Sequence, residues 1–251
     1  MAEVIAIVNQ KGGVGKSTTA QALSNGLSLK GFRVLTIDLE PQGNLSYSFG
    51  VASEGASSYD LLMGTPAVDV IQHVDQGAII PSSRSLNGAD ISIASTGKEY
   101  RLREALQPVQ DSYDYIIVDT PPALGILTVN ALTAANGIII PALPDIYSVQ
   151  GIGQLYSTID AIHRYTNPHM VILGILLTRY NPRSVLGRDI AEMLADISKE
   201  LRSRVFTTRI RETVAIREAQ ALRQSLFSYA PNSTAAKDYL ALVDELLAIP
   251  L

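Results

Sequence analysis

The sequence predicts an α/β fold in which a doubly wound, mostly parallel sheet is flanked by helices. Three observations predict it. Short apolar runs at 4–8, 33–38, 115–119, 137–143 and 170–178 have the length and composition of strands buried on both faces. Stretches of helical periodicity alternate with them, as parallel crossovers require. The first such unit also runs strand, glycine-rich loop and helix in that order, within residues 4–27. At 251 residues the chain is long enough for a large core, and without a linker or internal repeat it is expected to form one domain over 1–251.

The first strand, Val4-Ile5-Ala6-Ile7-Val8, leads into Asn9-Gln10-Lys11-Gly12-Gly13-Val14-Gly15-Lys16-Ser17-Thr18. Gly12, Gly13 and Gly15 lack a Cβ, so the backbone can turn tightly and bring successive N–H groups against phosphate oxygens. A helix beginning near Lys16 adds its unpaired N–H groups and the positive end of its dipole. Ala20, Leu23 and Leu27 carry that helix, and Gly31 is a natural stop. Lys16 is placed to bridge phosphates, and the Ser17 hydroxyl is a hard ligand suited to Mg²⁺. The general phosphate-loop spacing wants glycine where this chain has Gln10; what it has instead is a second lysine, Lys11, five positions before Lys16.

The second strand, 33–38, ends in Asp38 and runs into Leu39-Glu40-Pro41-Gln42-Gly43-Asn44. Ligands of open α/β sheets lie at the carboxyl ends of strands, so Asp38 and Glu40 are expected near the phosphates. Residues 52–58 read as a surface loop, 59–63 as a short helix, the stretch through Asn87 as irregular, 91–94 as an alternating strand and 99–106 as a short helix. Tyr115-Ile-Ile-Val-Asp119 is a buried strand ending in a carboxylate, and Asp119 suits a Mg²⁺ ion held directly or through water.

Strands at 137–143 and 170–178 follow, with a helix over 149–165 between them. Leu186, Ile190, Met193, Leu194, Ile197 and Leu201 form one apolar stripe, read as core. Near the end, Asn232 or Ser233 caps a helix whose Tyr239, Leu242, Val243 and Leu246 face inward.

Composition excludes several classes. There is no cysteine, hence no thiolate metal site or cysteine-bound iron–sulfur cluster. His73, His163 and His169 are scattered without metal-ligand spacing. No run of 18 apolar residues and no signal-peptide pattern occurs, so a cytoplasmic protein is expected. The net charge is −4, yet residues 179–223 hold ten Lys/Arg against six Asp/Glu. Arg183, Arg188, Arg202, Arg204, Arg209, Arg211, Arg217 and Arg223 in that stretch make a candidate phosphate-binding face.

Taken together, Lys11 to Thr18, Asp38-Leu-Glu-Pro-Gln-Gly-Asn44, Asp119-Thr-Pro-Pro122 and the tail Phe227 to Tyr239 resemble the deviant Walker A ATPases, the P-loop family that includes ParA, Soj and MinD. The tail resembles the small ParA form, and a loop starting at residue 11 leaves no room for an N-terminal helix-turn-helix. The resemblance implies a homodimer that sandwiches two ATP molecules with Mg²⁺, Lys11 of each subunit reaching the phosphates held by the other. It implies slow ATP hydrolysis with Lys11, Lys16, Asp38 and Glu40 in the catalytic set, residues 11–18 on the nucleotide, and Ser17, Asp119 and Asp38 at the metal. One departure is Glu40, where the family usually carries aspartate.

In family terms the ATP dimer binds DNA nonspecifically on the nucleoid and is released by an adaptor of ParB type. Its cargo is a plasmid, a chromosome origin or an organelle such as the carboxysome. The alternative is a MinD-like membrane switch, favoured by Leu177-Thr-Arg-Tyr-Asn-Pro182 and opposed by an acidic C-terminal helix with no Lys or Arg after Lys237. Candidates for adenine contact are Thr178, Arg179 and residues 210–214.

Overall fold

The computed structural model describes residues 1–51, 55–200 and 202–249. Seven strands form one sheet: β1 (Glu3–Ile7), β2 (Val34–Asp38), β3 (Gln72–Val74), β4 (Gly77–Ile80), β5 (Tyr115–Asp119), β6 (Gly137–Ala142) and β7 (Val171–Leu177). Their spatial order is β3-β4-β2-β5-β1-β6-β7, and only the edge pair β3–β4 is antiparallel. Register places Ile7 beside Asp119 and Asp119 beside Asp38, so three strands end level at one edge. That edge carries the candidate site residues Asp38 and Asp119, where ligands of open α/β sheets lie.

Alternation along each central strand feeds two cores. Val4, Ala6 and Val8 pack on one face of β1, while Ile5 and Ile7 pack on the other. On the second face, helix Lys16–Leu29 lies against the C-terminal helix Thr234–Leu247, whose Tyr239, Leu242, Val243 and Leu246 are buried as expected. Ser233 caps that helix by accepting the Ala236 N–H. Gly26 lets the two helices approach: a Cβ there would stand 2.8 Å from Val243 Cγ2. In β6 the pairing with β1 ends at Ile139, which leaves Pro141 beyond the ladder that its missing N–H would break.

Several sequence expectations need correction. Residues 91–94 are no strand; helix Ala89–Ser92 takes their place, with Ile91 86% exposed and Ile93 buried. Asp90 Oδ1 accepts the Ile126 N–H, which ties this short helix to the start of helix Ile126–Ala134, itself unforeseen. Inside the stretch expected to be irregular lies β4, which pairs with β2; its three apolar residues, Ala78, Ile79 and Ile80, gave too short a signal.

Residues 52–54 of the expected loop lie outside the described residues. Ser57 and Ser58 are buried, Ser57 forming a capping box with Asp60 for helix Ser58–Met63. Helix Ile146–Tyr165 starts earlier than expected because Asp145 caps it. Of the apolar stripe on helix Val185–Glu200, Ile190 and Leu194 are buried, Ile197 is half-buried, and Leu186 and Met193 are 60% and 42% exposed, so the stripe is core only in part. Leu201 lies outside the described residues.

Candidate nucleotide site and switch

Gly13 and Gly15 adopt φ of +73° and +90°, the left-handed conformations that the loop needs at these two positions. Asn9, fully buried, fixes the loop's entry: its Nδ2 donates to the Pro141 carbonyl (2.6 Å) and its Oδ1 accepts the Lys11 N–H (2.9 Å). From the far side the Thr178 hydroxyl donates to the Val14 carbonyl (2.7 Å), and Gln220 Nε2 donates to Thr18 Oγ1 (3.0 Å). Gly12, Gly13, Gly15, Lys16, Ser17 and Thr18 line a cavity of about 430 Å³ closed by Glu40, Gln42, Tyr47 and Pro122. Val14 is buried and supports the loop from behind.

Lys16 lies inside this cavity, its ammonium 3.2 Å from the Lys11 carbonyl. Burial lowers its pKa, against the pull of Asp119 and Glu40. Asp119 is fully buried, and burial together with the Asp38 charge pushes its pKa well up; Ser17 and Lys16 oppose that shift. Among the described residues neither carboxylate oxygen of Asp119 has a hydrogen-bond partner. A buried carboxylate with both oxygens unsatisfied beside a serine hydroxyl is the donor set a hard divalent cation requires. Ser17 and Asp119 therefore fit Mg²⁺. Among the described residues no cluster of three His or carboxylate groups competes for a metal.

Asp38 and Glu40 separate in role. Asp38 is fully buried and spends its oxygens on the chain: Oδ1 accepts the Glu40 N–H (3.0 Å), and Oδ2 accepts both the Ser46 N–H (2.8 Å) and the Ser46 hydroxyl (2.7 Å). Burial pushes its carboxyl up to about 6, opposed by the Ser46 bonds. It thus fastens the segment that leads into helix Asn44–Ser48. Glu40, half-exposed, is the carboxylate that faces the cavity.

Lys11 stands outside the cavity lining. Its ammonium lies 2.6 Å from Asp145 Oδ2 and 5.6 Å from the centre of the Tyr147 ring. Burial alone would raise Asp145, but Lys11 and Ser148 together hold its carboxyl below the usual range. Asp145 and Tyr147 are residues that the sequence reading missed. The signal was available in Asp145 as the residue preceding a helix, three before Ser148.

A second cavity, of about 190 Å³, joins Gly15, Thr18, Thr178, Arg179 and Ile210 to Thr213. Most of the adenine-contact candidates thus lie beside the loop. The eight arginines differ in their surroundings. Arg183, Arg188, Arg202 and Arg204 are exposed at and around helix Val185–Glu200. Arg209 lies over the Tyr180 ring at 4.6 Å, the Arg211 side chain makes two bonds to Asp238 and its backbone N–H a third, and Arg217 lines the second cavity. Arg223 lies over Tyr47 at 4.4 Å.

The family described as AAA domain matches residues 2–172. Over 254 residues the chain is 38% identical to the sporulation initiation inhibitor protein Soj of Bacillus subtilis, covering 99% of each. Over 253 residues it is 35% identical to the chromosome partitioning protein ParA of Caulobacter vibrioides, covering 98% of this chain and 94% of that one. It is also similar to a crystal structure of cobyrinic acid a,c-diamide synthase from Mycobacterium smegmatis bound to an ATP analogue and magnesium, at 32% identity and TM-score 0.85, covering 98% and 95%. With its two-lysine glycine loop, the level strand ends at Asp38 and Asp119, and this full-length similarity, the chain belongs to the Soj/ParA family of P-loop ATPases.

Proposed function

We propose that this protein is a partition ATPase whose ATP-bound dimer holds DNA without sequence preference and lets go when an adaptor stimulates hydrolysis. The observation that carries this reading is the position of Lys11, outside the lining of the phosphate cavity and bonded to Asp145. Held outside its own cavity, this cation can reach the phosphates of a second subunit once it leaves Asp145. Because such a contact exists only while a triphosphate supplies the opposing charge, dimerisation becomes linked to nucleotide state. Lys16 and the loop N–H groups would hold phosphate, Ser17 and Asp119 would hold Mg²⁺, and Glu40 would orient the attacking water. The metal, when bound, supplies charge neutralisation at the phosphates.

Arg183, Arg188, Arg202 and Arg204 are the exposed cations offered to DNA in this reading. Phosphate contacts release counterions, so retention should fall steeply with salt. The test is DNA binding with and without Mg·ATP across a salt series. ATP-dependent, salt-sensitive binding is expected; retention that ignores ATP or salt would overturn the reading. Membrane attachment through the C-terminal helix is disfavoured, since its apolar face is packed against helix Lys16–Leu29. Glutamine-dependent amidation is disfavoured as well, because it calls for a thiol nucleophile and these residues include no cysteine.

A further inference from the structure

We infer that a cleft beside helix Asn44–Ser48 is a docking site for an acidic peptide segment of a partner protein, gripped by Arg84 and Arg223. The cleft measures about 440 Å³ and runs from Gln42 and Tyr47 to Ser83, Arg84 and Arg223. None of its described lining residues is acidic, and neither arginine takes part in an ion pair among the described residues. Two unpaired guanidinium groups in one concave site make an anion receptor.

Arg223 closes helix Val214–Ala221 in a left-handed turn, its N–H bonded to the Gln220 carbonyl and that of Gln224 to the Ala219 carbonyl. Its φ is +55°, in the left-handed region that favours glycine. The Arg223 guanidinium lies over the Tyr47 ring, 4.4 Å from its centre, and a guanidinium carries five N–H donors for a ligand. Ser83 Oγ accepts the Ser85 N–H, which leaves its own proton for a ligand. Carboxylates match the two arginine forks, so a segment with two Asp or Glu residues fits. Duplex DNA fits poorly, because phosphates on a convex cylinder meet the rim of a cleft and not its interior.

Position suggests the consequence. Tyr47 lines both this cleft and the nucleotide cavity, and Ser46, beside it on the same helix, fastens Asp38. A peptide that draws Arg223 away from Tyr47 would therefore disturb the seat of the helix next to Glu40. That effect on turnover rests on the ATPase reading; the binding does not.

The experiment is fluorescence anisotropy at low ionic strength, with a short labelled peptide of alternating Glu and Gly as probe and its Lys-Gly counterpart as control. Wild-type protein should bind the acidic probe alone, and Arg84→Gln and Arg223→Gly should each weaken it about tenfold. Glycine suits the Arg223 backbone, so that variant keeps its fold, which thermal melting verifies. No binding by wild type, equal binding by the variants, or displacement of the probe by a DNA duplex that itself loses affinity in both variants would overturn the proposal. In parallel, the probe should alter ATP turnover of wild type and not of Arg223→Gly. If wild type hydrolyses no ATP, the ATPase reading fails while the anisotropy comparison still decides the docking site.

Discussion

The Lys11 ammonium and the Asp145 carboxylate meet at 2.6 Å, so the second lysine of the loop is held within its own chain. Asp145 does two jobs at once, since its other oxygen accepts the Ser148 N–H and caps helix Ile146–Tyr165. A lysine committed in this way has to exchange one anionic partner for another before it can serve a second subunit.

Asp145→Asn should therefore ease dimerisation. Asparagine keeps the cap and removes the charge. With the pair about one-third exposed, its worth is on the order of 1 kcal/mol, so the ATP concentration at half-dimerisation should fall by roughly threefold to tenfold. Sedimentation across an ATP titration measures it, and an unchanged midpoint would show that Asp145 does not compete for Lys11.

Glu40→Gln should lower ATP turnover by about 10²-fold or more while leaving nucleotide affinity nearly unchanged, because Glu40 is the cavity-facing carboxylate. Asp38→Asn should act differently. It loosens the Ser46 attachment, so faster hydrogen exchange in helix Asn44–Ser48 should accompany any loss of turnover. Single-turnover kinetics with nucleotide titration separates the two; retained turnover in Glu40→Gln would remove Glu40 from the catalytic set.

Much of this arrangement was legible beforehand. β1, β2, β5, β6 and β7 could be read because each is an apolar run buried on both faces, and Ser17, Asp119 and the glycines because their chemistry is local to short motifs. β4 escaped because it has only four residues and is recognised as a strand by pairing with β2, a long-range fact. The split between Asp38 and Glu40 was equally hidden, since it depends on Ser46 folding back from eight residues away. Arg211 looked like a free cation until Asp238, 27 residues on, was brought beside it.

Helix contact supplies a stability test. Gly26→Ala places a methyl 2.8 Å from Val243 Cγ2, and overpacking of this kind costs about 1–3 kcal/mol, partly offset by about 1 kcal/mol of helix propensity. In a Val243→Ala background the clash disappears. Urea denaturation of the four proteins should give a favourable coupling of about 1–2 kcal/mol, and simple additivity would mean the helices part at no cost.

Acid stability should depend on Asp114. Two bonds from the Arg33 side chain and one from its backbone N–H hold the Asp114 carboxyl down at about 2. A depressed carboxyl stabilises the fold above its unfolded pKa, near 3.8, and loses that contribution as pH falls toward 2. The pair is exposed, so Asp114→Asn should cost only about 0.5–1 kcal/mol at neutral pH, with the difference shrinking below pH 4. Chemical denaturation at several pH values measures it; a penalty that persists undiminished at low pH would contradict the assignment.

The most direct test of the account is sedimentation of Lys11→Ala beside wild type at saturating Mg·ATP, with bound nucleotide measured in the same samples. Wild type should be dimeric, and the variant should bind ATP through Lys16 and the loop yet remain monomeric. A Lys11→Ala protein that dimerises with ATP as readily as wild type would contradict the claim that this lysine links nucleotide state to assembly.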